Sequence, residues 1–493
     1  MFRLCAAGTV ALVLTACGHT APPPAATVAP PTAVPSTAAA PAGPRPAPVT
    51  EIVPPDGQFS AVSRLVDEAI AARRLPGGVV EIGHAGAVVF RQAFGSRTLA
   101  GEPNLAGAPA PAEPMTVDTV FDVASLTKGL ATATAVMQLS EQGRVRLDDA
   151  VQTYLPEFNP DGDPRRAQVT LRMLLTHTSG IAGDLSLDGP WGLTAADKAQ
   201  GIRRALAAWV VTPPGEGFHY CDINFIILGA LLEKLTGEPE DRYVHHHVFA
   251  PLGMFDTRYL PATEACGPHR IRGAAIVFDP EATRPGRCPA GTWSTDLLQR
   301  IAPTALDEDT AGLNPDFGYP LRGTVHDPTA RRMGGVAGSA GLFTTVSDVG
   351  RYARALLDRR AGRPSSFPLS PSSVQLMTTP QQPGHDAGQV GAANDADTRS
   401  SRAVRYPALP GQNLRGFGWD IDTPHSRPRG TVFPVGSFGH TGFTGVSLWM
   451  DPESDTYVAI LTNAIHQRGA PPIAALSGKL ATEAARALHL YGT

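Results

Sequence analysis

Lysine is scarce in this chain. Four lysines (Lys128, Lys198, Lys234 and Lys479) stand among 41 basic residues, so a lysine spaced to do chemistry has few places to be. Charge excess is also missing: a formal net charge of -4 over 493 residues gives no electrostatic case for binding nucleic acid. The apolar stretch that ends at Leu14 is too short to span a bilayer. Metal-ligand spacing is absent. His245-His246-His247 is a run, but neighbours on one helix point in different directions and no second ligand cluster of zinc spacing accompanies it, so neither metal nor cofactor is expected. The glycine-rich run Gly334 to Gly341 lacks the Lys-Ser/Thr of a phosphate loop, and Ala337 breaks the G-x-S-x-G pattern of a hydrolase elbow.

What is present begins with a leader. Residues 1–16 hold one positive charge, Arg3, and a short apolar core, the layout of a secretory signal. The ending Leu14-Thr15-Ala16-Cys17 resembles a bacterial lipobox, which implies cleavage before Cys17, lipidation of its sulfur, and an exported protein anchored to the membrane and facing the cell envelope. Residues 17–55 are almost all Ala, Pro, Thr and Val without periodicity, a composition that reads as an extended tether. Beyond Cys17 remain Cys221, Cys266 and Cys288. The last two flank a surface insertion at 263–296, and pairing them in an oxidising compartment would staple that loop; Cys221 reads as a small buried residue.

The chain is organised around Phe121 to Gly143. Apolar residues at Leu126, Leu130, Ala133 and Met137, with small Ala and Thr between them, describe a helix buried on several sides that stops at Gly143. At its start, Ser125 and Lys128 are three apart and so share one face. A plain N-capping serine with a solvated lysine would look the same. The chemical reading is a serine nucleophile beside an amine that a low-dielectric pocket strips of its proton.

Taken in order, a helix is expected over Phe59 to Leu75, then strands Val79 to His84 and Val88 to Phe94 joined by Ala85-Gly86-Ala87. A second apolar helix follows Tyr220-Cys221-Asp222 and ends at Gly237, with Asp222 as its expected N-cap. Tyr220, near cationic groups, could shuttle protons. His177, in a Thr/Ser-rich turn, is read as structural. Residues 380–411 read as a mobile surface excursion. Strands are expected at Gly416 to Ile421, Phe438 to His440, Val446 to Met450 and Tyr457 to Thr462, with a closing helix over Ile473 to Leu490. The fold class is therefore α/β (α+β). One antiparallel sheet is built from both ends of the chain (56–120 and 412–493) and flanked by helices, with a mainly helical middle (121–411) inside a single unit, 56–493.

Three motifs now stand in one order: Ser125-Leu126-Thr127-Lys128, Tyr220-Cys221-Asp222 and His440-Thr441-Gly442. Together with FDVASLTK, LLTHTSG, PPGEGFHYCDINFIILG and GHTGFTG, they resemble the class C β-lactamase and penicillin-binding serine hydrolase family, of β-lactamase/transpeptidase-like fold. The resemblance implies Ser125 as acylated nucleophile, Lys128 as its amine and Tyr220 as general base and then acid. It places Asp222, His440, Thr441 and Gly442 at substrate-binding positions and the N–H groups of Ser125 and Phe443 in an oxyanion hole. Val325-His326-Asp327 and GGVAGSAGLF resemble a branch linked to peptidoglycan turnover, though Ser339 stands where that branch usually has histidine.

Two departures from the pattern bear on substrate. Asp222 replaces an asparagine and His440 replaces a lysine, and both make efficient β-lactam hydrolysis a poorer expectation than action on a peptide or an ester. The expected activity is acyl transfer from a D-Ala-type cell-wall peptide to water. The alternatives are an esterase or transacylase of the same mechanism, and a penicillin-binding sensor module that acylates without turnover.

Overall fold

Alternating valine and isoleucine build the sheet. In β1 (Gly77–His84) Val79 faces one side while Val80 and Ile82 face the other, and each set is fully buried. β2 (Ala87–Thr98) returns beside it through a two-residue turn in which Ala85 (φ +47°) and Gly86 (φ +87°) both have positive φ, the pattern that matches strand twist. The remaining strands are β3 (Glu113–Pro114), β4 (Leu414–Arg415), β5 (Asp420–Asp422), β6 (Phe438–Gly442), β7 (Val446–Asp451) and β8 (Thr456–Thr462). They form one eight-stranded antiparallel sheet in the order β4-β5-β6-β7-β8-β1-β2-β3. The two chain ends meet where β1 pairs with β8, Val80 opposite Ile460.

The structure is a computed structural model that describes residues 51–53, 55–283, 286–396, 405–467 and 472–493. The expected leader, Cys17 and the tether up to residue 50 lie outside the described residues, as do 284–285 and 397–404 within the two insertions.

Helices cover both faces of the sheet. Val80, Ile82, Trp449, Val458 and Ile460 pack against α1 (Ser60–Ala71) and the last long helix, Ala474–Ala487. Val79, Leu448, Ala459 and Leu461 join the larger core, which holds the long helices of the middle of the chain. α2 runs from a π-helical turn, Lys128–Ala133, into an α-helical stretch, Thr134–Glu141. α3 spans Asp222–Thr236 and α4 spans Val346–Arg360.

Four expectations about elements are corrected. The first helix stops at Ala71 rather than Leu75, because Arg73 turns left-handed (φ +54°) and its N–H, with that of Arg74, closes back on Ile70 and Ala69. Gly416 to Ile421 is not one strand: β4 and β5 pair with each other, and the glycines between them make the turn. The middle of the chain is less purely helical than expected. Phe121–Asp122, Leu342–Thr344 and Arg258–Tyr259 form a small sheet of their own, and the 263–296 insertion contains the hairpin His269–Arg272/Ala275–Phe278. That insertion is closed by a Cys266–Cys288 disulfide. Part of the 380–411 segment is docked rather than loose. Its helix Gln389–Ala396 buries Ala393, and Asn394 exchanges hydrogen bonds with the Val435 backbone at 2.8 and 2.9 Å.

Candidate active site

Ser125 lies on the turn from Phe121–Asp122 into α2. Ala124 just before it has φ +43°, a conformation that costs a residue with a β-carbon about 1–2 kcal/mol. A buried aspartate holds it there. One carboxylate oxygen of Asp122 accepts from the Ala124 N–H at 2.9 Å and the other from the His326 N–H at 2.7 Å. Burial pushes the Asp122 carboxyl up to about 6, against the pull of those two N–H groups and Arg331. Its backbone carbonyl takes the Thr444 hydroxyl at 2.7 Å, which ties the end of β6 to the turn.

Gly442 is required at this junction, because a β-carbon there would come within 2.4 Å of the Val123 carbonyl oxygen. The N–H groups of Ser125 and Phe443 are thereby carried on two segments locked to each other. Neither is taken by another group among the described residues, as an oxyanion hole needs.

The opening turn of α2 is wide, and π-helical turns are frequent at functional sites. The Gly129 carbonyl inside it is satisfied by the hydroxyls of Thr134 at 2.9 Å and Tyr352 at 3.1 Å. Trp419 packs so closely over Gly129 that a β-carbon would meet its ring at 2.7 Å. Lys128 is fully buried. Its Nζ donates to the Ser339 carbonyl at 2.9 Å, lies 3.0 Å from Ser125 Oγ, and pairs with the Asp222 carboxylate in a very short contact.

This corrects the expectation of an amine stripped of its proton. Burial alone would depress the Lys128 ammonium, but Asp222 and then Tyr220 override it, and the net shift is upward. A low-dielectric pocket frees a buried amine of its proton only where no carboxylate shares the pocket.

Asp222 reaches Lys128 because it is not the N-cap of α3, as expected. Cys221 takes that position, and Asp222 is the first helical residue with its side chain turned inward. Cys221 is buried, its thiol pushed up to about 12 by burial, and it donates to the Ala182 carbonyl at 3.1 Å. Asp184 and Asp327 lie on the same acidic side. Burial raises both carboxyls, Asp327 to about 7, and the Asp222 charge adds to the rise.

Tyr220 sits beneath Lys128, whose Nζ is 5.1 Å from its ring centroid. The phenol oxygen is shielded from solvent and makes no well-aligned hydrogen bond among the described residues, yet it is within electrostatic reach of Ser125 and Lys128. Burial raises the phenol above its ordinary range, opposed by Lys128, so it rests neutral.

His177 positions Tyr220. Buried and left-handed (φ +56°), it packs tilted against the Tyr220 ring with centroids 4.5 Å apart, accepts the Cys221 N–H on Nδ1 at 3.1 Å and offers its carbonyl to the His219 N–H at 2.9 Å. Asp122, Asp184, Asp327 and His425, whose ring lies 5.2 Å from that of Tyr220, were not singled out in the sequence. Asp327, the last residue of Val325-His326-Asp327, came nearest.

His440 on β6 completes the site and is not a cation. Its Nδ1 lies 2.6 Å from the Thr441 carbonyl, which can only accept, so Nδ1 carries the proton and Nε2 is a buried lone pair without a partner among the described residues. Burial pushes it down to about 3; Asp420 opposes that, while Arg415 and Lys128 reinforce it. Arg415 is itself buried and paired with Asp420. Phe443 stands 74 % exposed at the mouth, stacked on His326 at 5.7 Å. The His245 to His247 run is elsewhere, with His246 held 3.0 Å from Glu238, and no group of metal-binding geometry occurs among the described residues.

A serine whose oxygen is 3.0 Å from a buried lysine, a tyrosine under that lysine and two free N–H groups make an acyl-transfer site. A sequence profile described as Beta-lactamase matches residues 62–479. A protein of Escherichia coli (strain K12), named as a candidate D-alanyl-D-alanine carboxypeptidase, is 26 % identical over 394 residues, 78 % of this chain and 77 % of that one. An N-acetylmuramyl-L-alanine amidase of Bacillus subtilis (strain 168) is 26 % identical over 415 residues, 82 % of this chain and 80 % of its own. The crystal structure of a penicillin-binding protein homologue from Caulobacter crescentus superposes with a TM-score of 0.59 at 19 % identity, covering 88 % of this chain and 99 % of that one, a likeness of fold alone. Profile, relatives and fold agree with the site's geometry, and the chain belongs to the β-lactamase family of serine hydrolases.

Proposed function

We propose that the chain hydrolyses acyl bonds through a covalent intermediate on Ser125, acting on D-Ala-type cell-wall peptides. The observation that carries this is the triple engagement of Lys128. Two of its three neighbours, the Ser339 carbonyl and the Asp222 carboxylate, can only accept. Once one proton leaves, the remaining two N–H bonds point at those acceptors and the lone pair points at Ser125 Oγ, 3.0 Å away. Because Lys128 and Tyr220 interact, the lost proton belongs to the pair: neutral lysine with phenol, or ammonium with phenolate. In either form Ser125 Oγ attacks the carbonyl carbon, its proton passes to the pair, and the N–H groups of Ser125 and Phe443 receive the oxyanion. The pair then returns the proton to the leaving amine, and a water repeats the sequence to release the acid. The names of the carboxypeptidase and amidase relatives support a cell-wall peptide as acyl donor.

Esters are the second reading, favoured by the neutral His440, which offers a terminal carboxylate no charge, and by the exposed apolar face of Phe443. The test is covalent labelling with a fluorescent penicillin or a phosphonate, followed by turnover on peptide, short-chain ester and chromogenic β-lactam. Ser125→Ala should abolish labelling with the fold intact, and labelling that persists would remove the assignment. A burst without steady-state release would instead identify a sensor that acylates and stops.

A further inference from the structure

Glu240 is buried (1 % exposed) behind the helix that carries Lys128, and it meets that helix at Thr132. The Thr132 hydroxyl oxygen lies 2.7 Å from Glu240 Oε1 and 2.8 Å from the Gly338 carbonyl oxygen. A hydroxyl has one hydrogen, and a carbonyl can only accept. Both contacts are hydrogen bonds at once only if Thr132 donates to Gly338 and Glu240 donates to Thr132, so the second hydrogen must be on the Glu240 carboxyl. Gly338 is bonded to Ser339, whose carbonyl holds Lys128 Nζ. Lys128 and Thr132, one turn apart on α2, thus grip successive carbonyls of the same loop.

We infer that Glu240 is a positioning residue for acylation: in its acid form it donates through Thr132 to the Gly338 carbonyl, and so holds the Gly338–Ser339 backbone that aims the Lys128 amine. The inference rests on the reading of Ser125 and Lys128 given above. Ionised, Glu240 would take the Thr132 hydrogen for itself and leave the Gly338 carbonyl facing an oxygen lone pair. The surroundings favour the acid. Glu233 on α3 and the adjacent Asp241 are like charges, Tyr259 is a neutral phenol, and Lys198 is the cation that opposes them. Burial first, then Glu233 and Asp241, raises the Glu240 carboxyl to about 7. The packing leaves no slack, since a β-carbon on Gly229 of α3 would come within 2.5 Å of Glu240 Oε2 and one on Gly338 within 2.1 Å of the Phe225 carbonyl oxygen.

The experiment measures the rate constant for labelling Ser125 against pH in wild type, Glu240→Gln and Thr132→Val. A glutamine keeps a donor toward Thr132 and cannot ionise. The ratio of Glu240→Gln to wild type should be near one at pH 5.5 and rise to about tenfold by pH 8.5, the order expected for a broken buried hydrogen bond. Thr132→Val, which cuts the relay, should be about tenfold slower than Glu240→Gln at every pH, and so should match wild type by about pH 8.5. Infrared spectra of wild type should show a protonated carboxyl band at pH 5.5 that is missing in Glu240→Gln. A pH-independent ratio, or no such band, overturns the inference. Failure of wild type to acylate at Ser125 removes the underlying reading instead, and the infrared band distinguishes the two failures because it needs no activity.

Discussion

Replacing Asp222 by asparagine should make acylation faster at neutral pH. The Asp222 carboxylate is what holds the buried Lys128 as an ammonium, and the pair cannot serve as base until one proton leaves. Two unit charges about 4 Å apart at an effective dielectric near 20 attract by about 4 kcal/mol, and Asp222's partial exposure reduces this to about 2–3 kcal/mol. That is about two pK units, or about a hundredfold in the deprotonated fraction at fixed pH. The assay is the second-order rate constant for labelling Ser125 between pH 6 and pH 10 in both proteins. The Asp222→Asn to wild-type ratio should approach a hundredfold near pH 7 and shrink only as the pH climbs toward the range where wild-type Lys128 loses its proton.

Stability should move the opposite way. In wild type the folded-state pKa of Lys128 lies above its unfolded value, so the pair's contribution is complete below about pH 10 and is lost only above it. In the variant the pull of Asp222 is gone and the folded pKa of Lys128 falls by about the same two pK units. At pH 6 the variant should then be less stable by about 2–3 kcal/mol, the stabilisation that the Asp222 charge supplies to the buried ammonium. Thermal melts at pH 6 and pH 9 read this directly. Superimposable labelling profiles in the two proteins would refute the reasoning and leave Asp222 as a substrate contact.

His440, held neutral by burial with a value of about 3, should contribute no inflection between pH 5 and 9, so a carboxylate-bearing peptide and a neutral ester should show parallel kcat/KM profiles. His440→Lys should then favour the peptide over the ester by about tenfold, the order of a charge-assisted hydrogen bond. An inflection near pH 6 for the peptide alone would show that the imidazole charges after all. The Leu14-Thr15-Ala16-Cys17 box supports an exported protein lipidated at Cys17, and mass spectrometry of the mature N-terminus should find diacylated Cys17; an unmodified terminus elsewhere would reject it.

The division between what was legible in the sequence and what was not follows the range of the forces involved. Period-two valines and isoleucines marked β1 and β8, because burial on a pleated sheet imposes that spacing locally, and Gly143 marked the end of α2 by its left-handed turn (φ +68°). Ser125 and Lys128 are one helical turn apart, so their contact could be read from spacing alone. The charge states could not be read that way. Lys128 is an ammonium because of Asp222, 94 positions later, and His440 is neutral because a folded interior surrounds it. Nor could the supporting acids be found. Asp122 is one aspartate beside a short strand until His326, 204 positions away, and Ala124 donate to it, and Glu240 acquires a role only through Thr132 and the Gly338 carbonyl. Residues that make bonds in the reaction travel in short motifs because they must lie close together in space on a few elements. Residues that aim them are chosen by the tertiary fold and carry no spacing of their own. In this site, therefore, chemistry read from motifs identifies who can react, while protonation and aim, which decide how fast, come largely from partners about ninety or more residues distant.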